Sequence, residues 1–93
     1  MLSFVDDALH QVIAQRLWEQ LAKAQAVQIA ANIEFNRLVR ESPGDLPHPD
    51  GALTIQQAGS IARVALRRYL HALKQFNDFT LNGAIPEDLL PPN

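Results

Sequence analysis

A regular spacing of apolar residues near the end of the chain constrains the fold most strongly. These residues recur in unbroken alternating steps of three and four: Ile55, Ala58, Ala62, Ala65, Tyr69, Ala72, Phe76 and Phe79. This spacing is typical of a helix that packs along its length against another helix. Alanine occupies half of the positions, so the backbone of the other helix can approach closely. The sequence therefore predicts an all-α fold built on this row of residues, which we call the seam.

The first part of the chain is the predicted partner of the seam. Residues 3–41 contain neither proline nor glycine and consist mostly of strong helix formers. At ~1.5 Å per residue, a helix over this range is roughly 55–60 Å long. Residues 42–53 hold three of the six prolines and two of the four glycines, which is typical of a connecting loop. We therefore predict one very long first helix followed by a loop.

The second helix is predicted to cover residues 54–82 and to run antiparallel to the first. Thr54, with Gln57 three residues later, fits a capping box at its start. Gly83 fits the left-handed residue that ends a helix, and Pro86 lies just beyond it. Together the two helices form a helical hairpin, and residues 1–93 form a single domain.

The C-terminal tail, residues 83–93, has no predicted helix but contains Ile85, Leu89 and Leu90. The second helix is shorter than the first, so it ends before it reaches the first turns of its partner. Those turns carry Phe4, Val5 and Leu9. We expect the apolar residues of the tail to fold over these three side chains, or over their copies in a second chain.

Helix one carries more apolar surface than one partner helix can cover. Past the first turn, its charged residues other than Arg40 fall within one narrow stripe, namely Arg16, Glu19, Lys23, Glu34, Arg37 and Glu41. Opposite charges in this stripe stand three or four residues apart, as in Glu19 and Lys23. Because a two-helix hairpin has no enclosed core, we predict a homodimer in which two hairpins form a two-fold four-helix bundle. The residues predicted to form the dimer seam are Leu17, Trp18, Leu21, Gln25, Gln28, Ile29 and Asn32. A bundle completed by a different protein and a tetramer are the alternatives.

The composition argues against several classes of function. The chain contains no cysteine, which removes disulfides, thiol catalysis and thiolate metal sites. Its net charge of −2 gives no general support for nucleic-acid binding. No apolar run approaches the ~20 residues that span a bilayer. The first residues carry acids where a signal peptide carries basic residues. We expect a soluble, cytoplasmic protein without a membrane partner.

Patterns for catalysis and metal binding are weak. Asp7 and His10 stand one helical turn apart, a spacing found in carboxylate–histidine metal motifs. The motif occurs once, and with aspartate in place of the glutamate of di-iron bundles. No serine lies in a nucleophile elbow, and there is no glycine-rich phosphate loop. We predict no enzyme activity, no metal site and no cofactor, and keep a bundle-type metal or ligand carrier as a second alternative.

Basic residues form a stripe on the second helix, away from the seam. This basic stripe consists of Arg63, Arg67, Arg68 and Lys74, with His71 between them. It can contact phosphates or an acidic partner. The simpler interpretation is a solvated outer face paired with acids of the other helix. No aromatic residue is interleaved with the arginines, so stacking on single-stranded nucleic acid is not expected.

Uncharged amides interrupt the apolar surface of helix one at Gln25, Gln28, Asn32 and Asn36. Amides in a helical seam usually specify register and oligomeric state. A ligand pocket lined by these amides, with Trp18 and Tyr69, is the alternative. We therefore predict a small non-enzymatic interaction or adaptor module that acts as a homodimer. Binding of nucleic acid or an acidic partner through the basic stripe is the first alternative.

Overall fold

The computed structural model describes residues 4–41 and 49–89, which form two long helices and a short C-terminal segment. Helix α1 spans Phe4–Glu41, and helix α2 spans Pro49–Asn82. A single 3₁₀ turn covers Glu87–Leu89. Neither long helix contains a stretch that is long and apolar enough to cross a membrane. The predicted all-α class and the extent of the first helix are confirmed.

The two helices pack antiparallel in a molecule that is 68 Å long. At one end, Phe79 near the end of α2 packs on Ile13 and Leu17 near the start of α1. At the other end, Gly59 near the start of α2 lies against Phe35 near the end of α1. The predicted helical hairpin is therefore confirmed.

The seam of α2 faces α1 along its whole length, as predicted. Ala58, Ala65 and Phe79 are buried, and the other seam residues are half-buried. The facing row of α1 also recurs in steps of four and three: Leu17, Leu21, Ala24, Gln28, Ala31, Phe35 and Leu38. All of these are buried or half-buried. Two matching rows of this spacing produce the knobs-into-holes packing of a helical pair.

The side chain of Phe35 on α1 lies close to the backbone of α2 at Gly59. This glycine is buried, and a Cβ atom there would lie 3.2 Å from Cε2 of Phe35. Ala58 and Ala62 flank it with small side chains. Small residues let the ring of Phe35 lie directly on the backbone of α2, because no larger side chain keeps it away.

The start of α2 differs from the prediction. The helix begins at Pro49 rather than at Thr54, so Thr54 lies within the helix and the predicted capping box is wrong. Proline suits the first helical turn because its fixed φ angle is helical and its missing N–H needs no partner there. The predicted loop, 42–53, therefore extends too far, and its remaining residues, 42–48, lie outside the described part of the chain.

The end of α2 agrees with the prediction. Gly83 has a φ angle of +72°, in the left-handed region that glycine adopts without strain. Its N–H donates to the carbonyl oxygen of Phe79 at 2.9 Å. This single bond satisfies one of the carbonyl groups that the last turn of a helix leaves free. Gly83 therefore ends α2 and turns the chain back towards α1.

The tail returns to the start of α1, as predicted in outline. Ile85 and Leu89 pack against the buried cluster of Ile13, Leu17 and Phe79. The N–H of Leu89 donates to the carbonyl oxygen of Pro86 at 3.0 Å, which holds the 3₁₀ turn. Leu9 remains 42% exposed. The tail therefore covers the end of the seam at Phe79. The side chains of Phe4, Val5 and Leu90, for which contacts were also expected, lie outside the described part of the structure.

Candidate interaction surface

Helix α1 carries a second row of residues beside the one that faces α2, and this row is exposed. Each member lies one residue after a position that faces α2: Gln11, Gln15, Trp18, Ala22, Gln25, Ile29, Asn32, Asn36 and Val39. One residue is ~100° around a helix, so the row points to one side of the hairpin. Trp18 is 54% exposed and Ile29 is 47% exposed. The same heptad spacing thus occurs twice on α1, and α2 covers one of the two rows.

Helix α2 contributes leucines to the same side of the hairpin. Leu66, Leu70 and Leu73 each lie one residue after a seam position. In an antiparallel pair, positions displaced in the same rotational direction from the contact line lie on the same side. Leu66 and Leu70 are exposed, and Leu73 is half-buried. We call the exposed row of α1 together with these three leucines the front face.

Residues that lie one position before the contact rows, instead of one position after them, support this assignment. Val27 lies one residue before Gln28, and Ile61 and Val64 lie one residue before Ala62 and Ala65. Val27, Ile61 and Val64 line a common groove between the helices. This groove marks the back of the hairpin, so positions displaced in the opposite direction belong to the front.

The residues of the front face are apolar or amide, but the same rule places Arg63, one residue after Ala62, on this side of the hairpin as well. The Nη2 atom of Arg63 donates to the Ser60 hydroxyl at 3.1 Å. Exposed side chains of a protein surface are normally mixed with charges, whereas an apolar patch of this extent marks an interaction site. The front face is therefore the candidate interaction surface.

The residues predicted for a dimer seam are divided between two surfaces. Trp18, Gln25, Ile29 and Asn32 lie on the front face and are exposed. Leu17 and Leu21 are 1% and 8% exposed, because they pack inside the hairpin. Gln28 is half-buried in the row that faces α2. The hairpin itself thus uses Leu17, Leu21 and Gln28, and the remaining four are free to contact another molecule. Of the amides predicted to set register, Asn36 also lies on the front face.

The residues of the basic stripe are all exposed, but they have different surroundings. Lys74 Nζ forms an ion pair with Asp78 at 2.7 Å, within α2. Arg63 is engaged by Ser60, as described above. Arg68 lines the groove on the back of the hairpin. Among the described side chains, those of residues 7–41 and 51–89, no ion pair joins the two helices, and the stripe is not paired there with acids of α1.

The charged stripe of α1 lies away from the front face and is solvated. Arg37 donates to Glu34 and to Glu41, each at 2.6 Å. Hydrogen bonds from Arg37 lower the pKa of Glu34, and the same contacts raise the pKa of Arg37. Glu19 accepts a hydrogen bond from Gln15 at 3.0 Å, and the predicted pair with Lys23 does not form in the described part of α1. Exposed pairs of this kind contribute little to stability.

Histidine and aromatic side chains pack against the ends of the seam. The His10 ring lies 4.4 Å from the Phe79 ring, tilted by 31°. The Trp18 ring lies 5.7 Å from that of Phe76, two turns along α2 from Tyr69. The structure therefore does not place Trp18 beside Tyr69 in one pocket.

Among the described residues, Asp7 and His10 are not joined by a third side chain able to hold a metal ion.

No protein-family model, curated protein or solved structure matches this chain. The functional argument therefore depends on the residues and their arrangement. Sequence reasoning missed Leu66 and Leu70, although their position one residue after the seam is visible in the sequence. It also missed the groove on the back of the hairpin, which no single helix pattern reveals because residues from both helices line it.

Proposed function

We propose that this protein is a non-enzymatic interaction module of the cytoplasm that acts as a homodimer. In this proposal, the front faces of two copies pack together, and the two hairpins form a four-helix bundle with two-fold symmetry. The observation that supports it is the largely apolar front face, on which Trp18, Ile29, Leu66 and Leu70 are 42–54% exposed. A lone hairpin leaves these side chains in water, and a second copy removes them from it.

The size of the front face suits a stable dimer. The exposed row of α1 runs from Gln11 to Val39, which corresponds to ~42 Å at ~1.5 Å per residue. Two helices side by side are ~20 Å wide, since neighbouring helix axes lie about 8–10 Å apart. The product, about 800 Å², is the area of this whole side of the hairpin and so an upper bound for the front face, because the leucines of α2 occupy only ~10 Å of the length. One partner contributes about the same area, ~800 Å², to an interface of standard size.

The amides of the front face give the proposed dimer its specificity. Gln25 and Asn32 flank Ile29 at one-turn spacing, so both enter the centre of the interface. A buried amide must find a hydrogen-bond partner, and leaving it unpaired costs about 1–3 kcal/mol. Registers that pair the amides of the two copies are therefore favoured over registers that place them against leucine.

Intrinsic fluorescence tests this proposal directly, because Trp18 is the single tryptophan of the chain and lies on the front face. We expect its emission to shift to longer wavelength on dilution, as the dimer dissociates and water reaches the ring. Leu70→Glu is expected to give the long-wavelength spectrum at all concentrations, because it places a charge in the interface.

Leu81→Glu is the matched control, because Leu81 is 79% exposed and belongs neither to the front face nor to the seam. The change introduces the same side chain on an exposed helical surface outside the front face, and the spectrum should follow that of the unmodified chain. A spectrum that does not depend on concentration, or equal effects of the two variants, would contradict the proposal.

A further inference from the structure

Contacts between the helices show which residues of α1 and α2 lie at the same level along the hairpin. Trp18 contacts Phe76, and Phe35 lies against Gly59. In both pairs the two residue numbers add up to 94, although the pairs are seventeen residues apart along α1. Because both helices rise by the same distance per residue, the same sum of 94 gives the level of every other residue.

The centre of the front face lies at one level on both helices. Gln25 is the fifth of the nine residues in the exposed row of α1, and Leu70 is the middle one of the three leucines of α2. Leu70 lies level with residue 24 of α1, so the two centres differ by one residue, or ~1.5 Å. A single line across the hairpin, perpendicular to the helices, therefore passes through the centres of both rows.

The front face keeps much of its chemistry when it is rotated by half a turn about this line. Gln25 and Leu70 return to their own positions, and the other members exchange in pairs, to within one residue. Leucine exchanges with leucine, alanine with isoleucine, and glutamine with asparagine. These pairs are Leu66 with Leu73, Ala22 with Ile29, and Gln15 with Asn36. The front face is therefore largely complementary to a second copy of itself.

Two further pairs combine different side chains that can form hydrogen bonds with each other. Trp18 exchanges with Asn32, whose side-chain carbonyl oxygen can accept from the indole N–H. Arg63 exchanges with Asn77, which lies one residue after Phe76 and is exposed. An asparagine side chain can accept from a guanidinium in the same way. The one cation on this side of α2 therefore meets a polar acceptor rather than a leucine.

We infer that the two copies of the proposed dimer are related by a two-fold axis along this line, between their front faces. This inference rests on the proposed function and adds the arrangement of the four helices: α1 packs antiparallel on α1 of the second copy, and α2 on α2. The Gln25 side chains of both copies meet on the axis, where each amide can donate to the carbonyl oxygen of the other. Leu70 meets its copy on the same axis.

The other two-fold arrangement has its axis parallel to the helices and packs α1 of each copy on α2 of the other. Residues at the same level then face each other, so Gln25 meets Leu70 of the second copy, and this contact occurs twice. An amide buried against leucine has no hydrogen-bond partner, which is unfavourable. Most apolar side chains of the front face meet apolar ones in both arrangements, so Gln25 decides between them.

Disulfide formation between introduced cysteines tests the arrangement, because the chain has no cysteine of its own. A disulfide requires Cβ atoms about 3.5–4.5 Å apart, so two identical residues can be joined only where they meet at the two-fold axis. We expect Gln25→Cys to give a linked dimer in a glutathione redox buffer, measured on non-reducing gels. Leu70→Cys tests the same axis on the other helix and should also link.

Val39→Cys is the matched control at the end of the exposed row. Val39 lies fourteen residues from Gln25, so its two copies are ~42 Å apart at ~1.5 Å per residue. At micromolar chain concentration, Gln25→Cys should link about tenfold faster or more than Val39→Cys, because its two thiols are held together. Val39 exchanges with Gln11 across the axis, so the double variant Gln11→Cys/Val39→Cys should link as Gln25→Cys does.

Sedimentation equilibrium of the unmodified chain separates failure of this inference from failure of the proposed function. If the chain is a dimer and Gln25→Cys links no faster than Val39→Cys, the inference is overturned and the proposed function stands. Faster linkage in a mixture of Gln25→Cys and Leu70→Cys chains than in either alone would also overturn it, because the axis would then be parallel to the helices. A chain that keeps the mass of one copy would contradict the proposed function and this inference with it.

Discussion

Replacement of Phe79 by alanine should remove much of the stability of the hairpin. Phe79 is 2% exposed and contacts Ile13 and Leu17, with Ile85 and Leu89 of the tail packed on the same cluster. Truncation of a buried phenylalanine costs about 3–5 kcal/mol. The cluster lies at an end of the molecule where neighbours can relax into the space, so we expect about 3 kcal/mol. At an m-value of about 1.5 kcal/mol per molar urea, the midpoint falls by about 2 M.

The measurement is urea unfolding followed by far-UV circular dichroism at one fixed chain concentration, because the stability of a dimer depends on concentration. Leu81→Ala is the matched control, two residues further along α2. Leu81 is 79% exposed, so its loss should change stability by less than about 0.5 kcal/mol. Phe79→Leu keeps most of the volume and should cost about 1 kcal/mol, which provides a folded intermediate case. Equal losses in the Phe79 and Leu81 variants would refute the packing described here.

Three further predictions concern the tail, the end of α2 and the charged stripe. Deletion of residues 84–93 should lower the melting temperature and cost about 2 kcal/mol, since it removes two half-buried apolar side chains; an unchanged melting temperature would show that the tail covers nothing. Gly83→Ala should cost about 1 kcal/mol because of its positive φ angle, whereas Gly51→Ala, which meets no atom within 4 Å in α2, should be neutral or slightly stabilising in the same urea assay. The lowered pKa of Glu34 means that its contribution to stability is present above its unfolded pKa and is lost as the pH falls through the folded value. Thermal melts between about pH 5 and pH 3 should therefore lose less stability in an Arg37→Gln variant than in the unmodified chain, and an equal loss would contradict this assignment.

The length of α1, the end of α2 and the contact row of α2 could be predicted from sequence because each depends on local features. Residues 3–41 lack helix breakers, and the seam positions of α2 repeat without interruption. Gly83 is a strong stop signal, since few other residues adopt its φ angle. These features do not depend on which neighbour the helix meets.

The start of α2 was harder to predict because proline is common both just after the end of a helix and in the first turn of a helix. Pro49 ends a helix that precedes it and also suits the first turn of a helix that follows it. Gly51, two residues after Pro49, favours a loop in the sequence, although glycine destabilises a helix by only about 1 kcal/mol. The packing of α2 on α1 outweighs that cost, and this packing is not visible in a local pattern.

The candidate surface could be predicted only in part for a related reason. Helix α1 carries two rows of equal spacing, and sequence alone does not determine which of them faces α2. Leu17 and Leu21 were therefore assigned to the dimer, although the hairpin buries them. Trp18 and Ile29 were assigned to the same seam and lie on the exposed row. The structure separates the two rows. Leu17 packs against Phe79 inside the hairpin, whereas Trp18 contacts Phe76 from the side and stays 54% exposed.

The central claim is that the front face of one hairpin requires a second copy to cover it. Sedimentation equilibrium of the full chain measures this most directly, because the mass obtained does not depend on the elongated shape of the molecule. A chain of 10.3 kDa should sediment as a species of twice that mass at micromolar concentration, and Leu70→Glu should return it to 10.3 kDa. A folded protein that keeps the mass of one chain at concentrations of several hundred micromolar would contradict the claim.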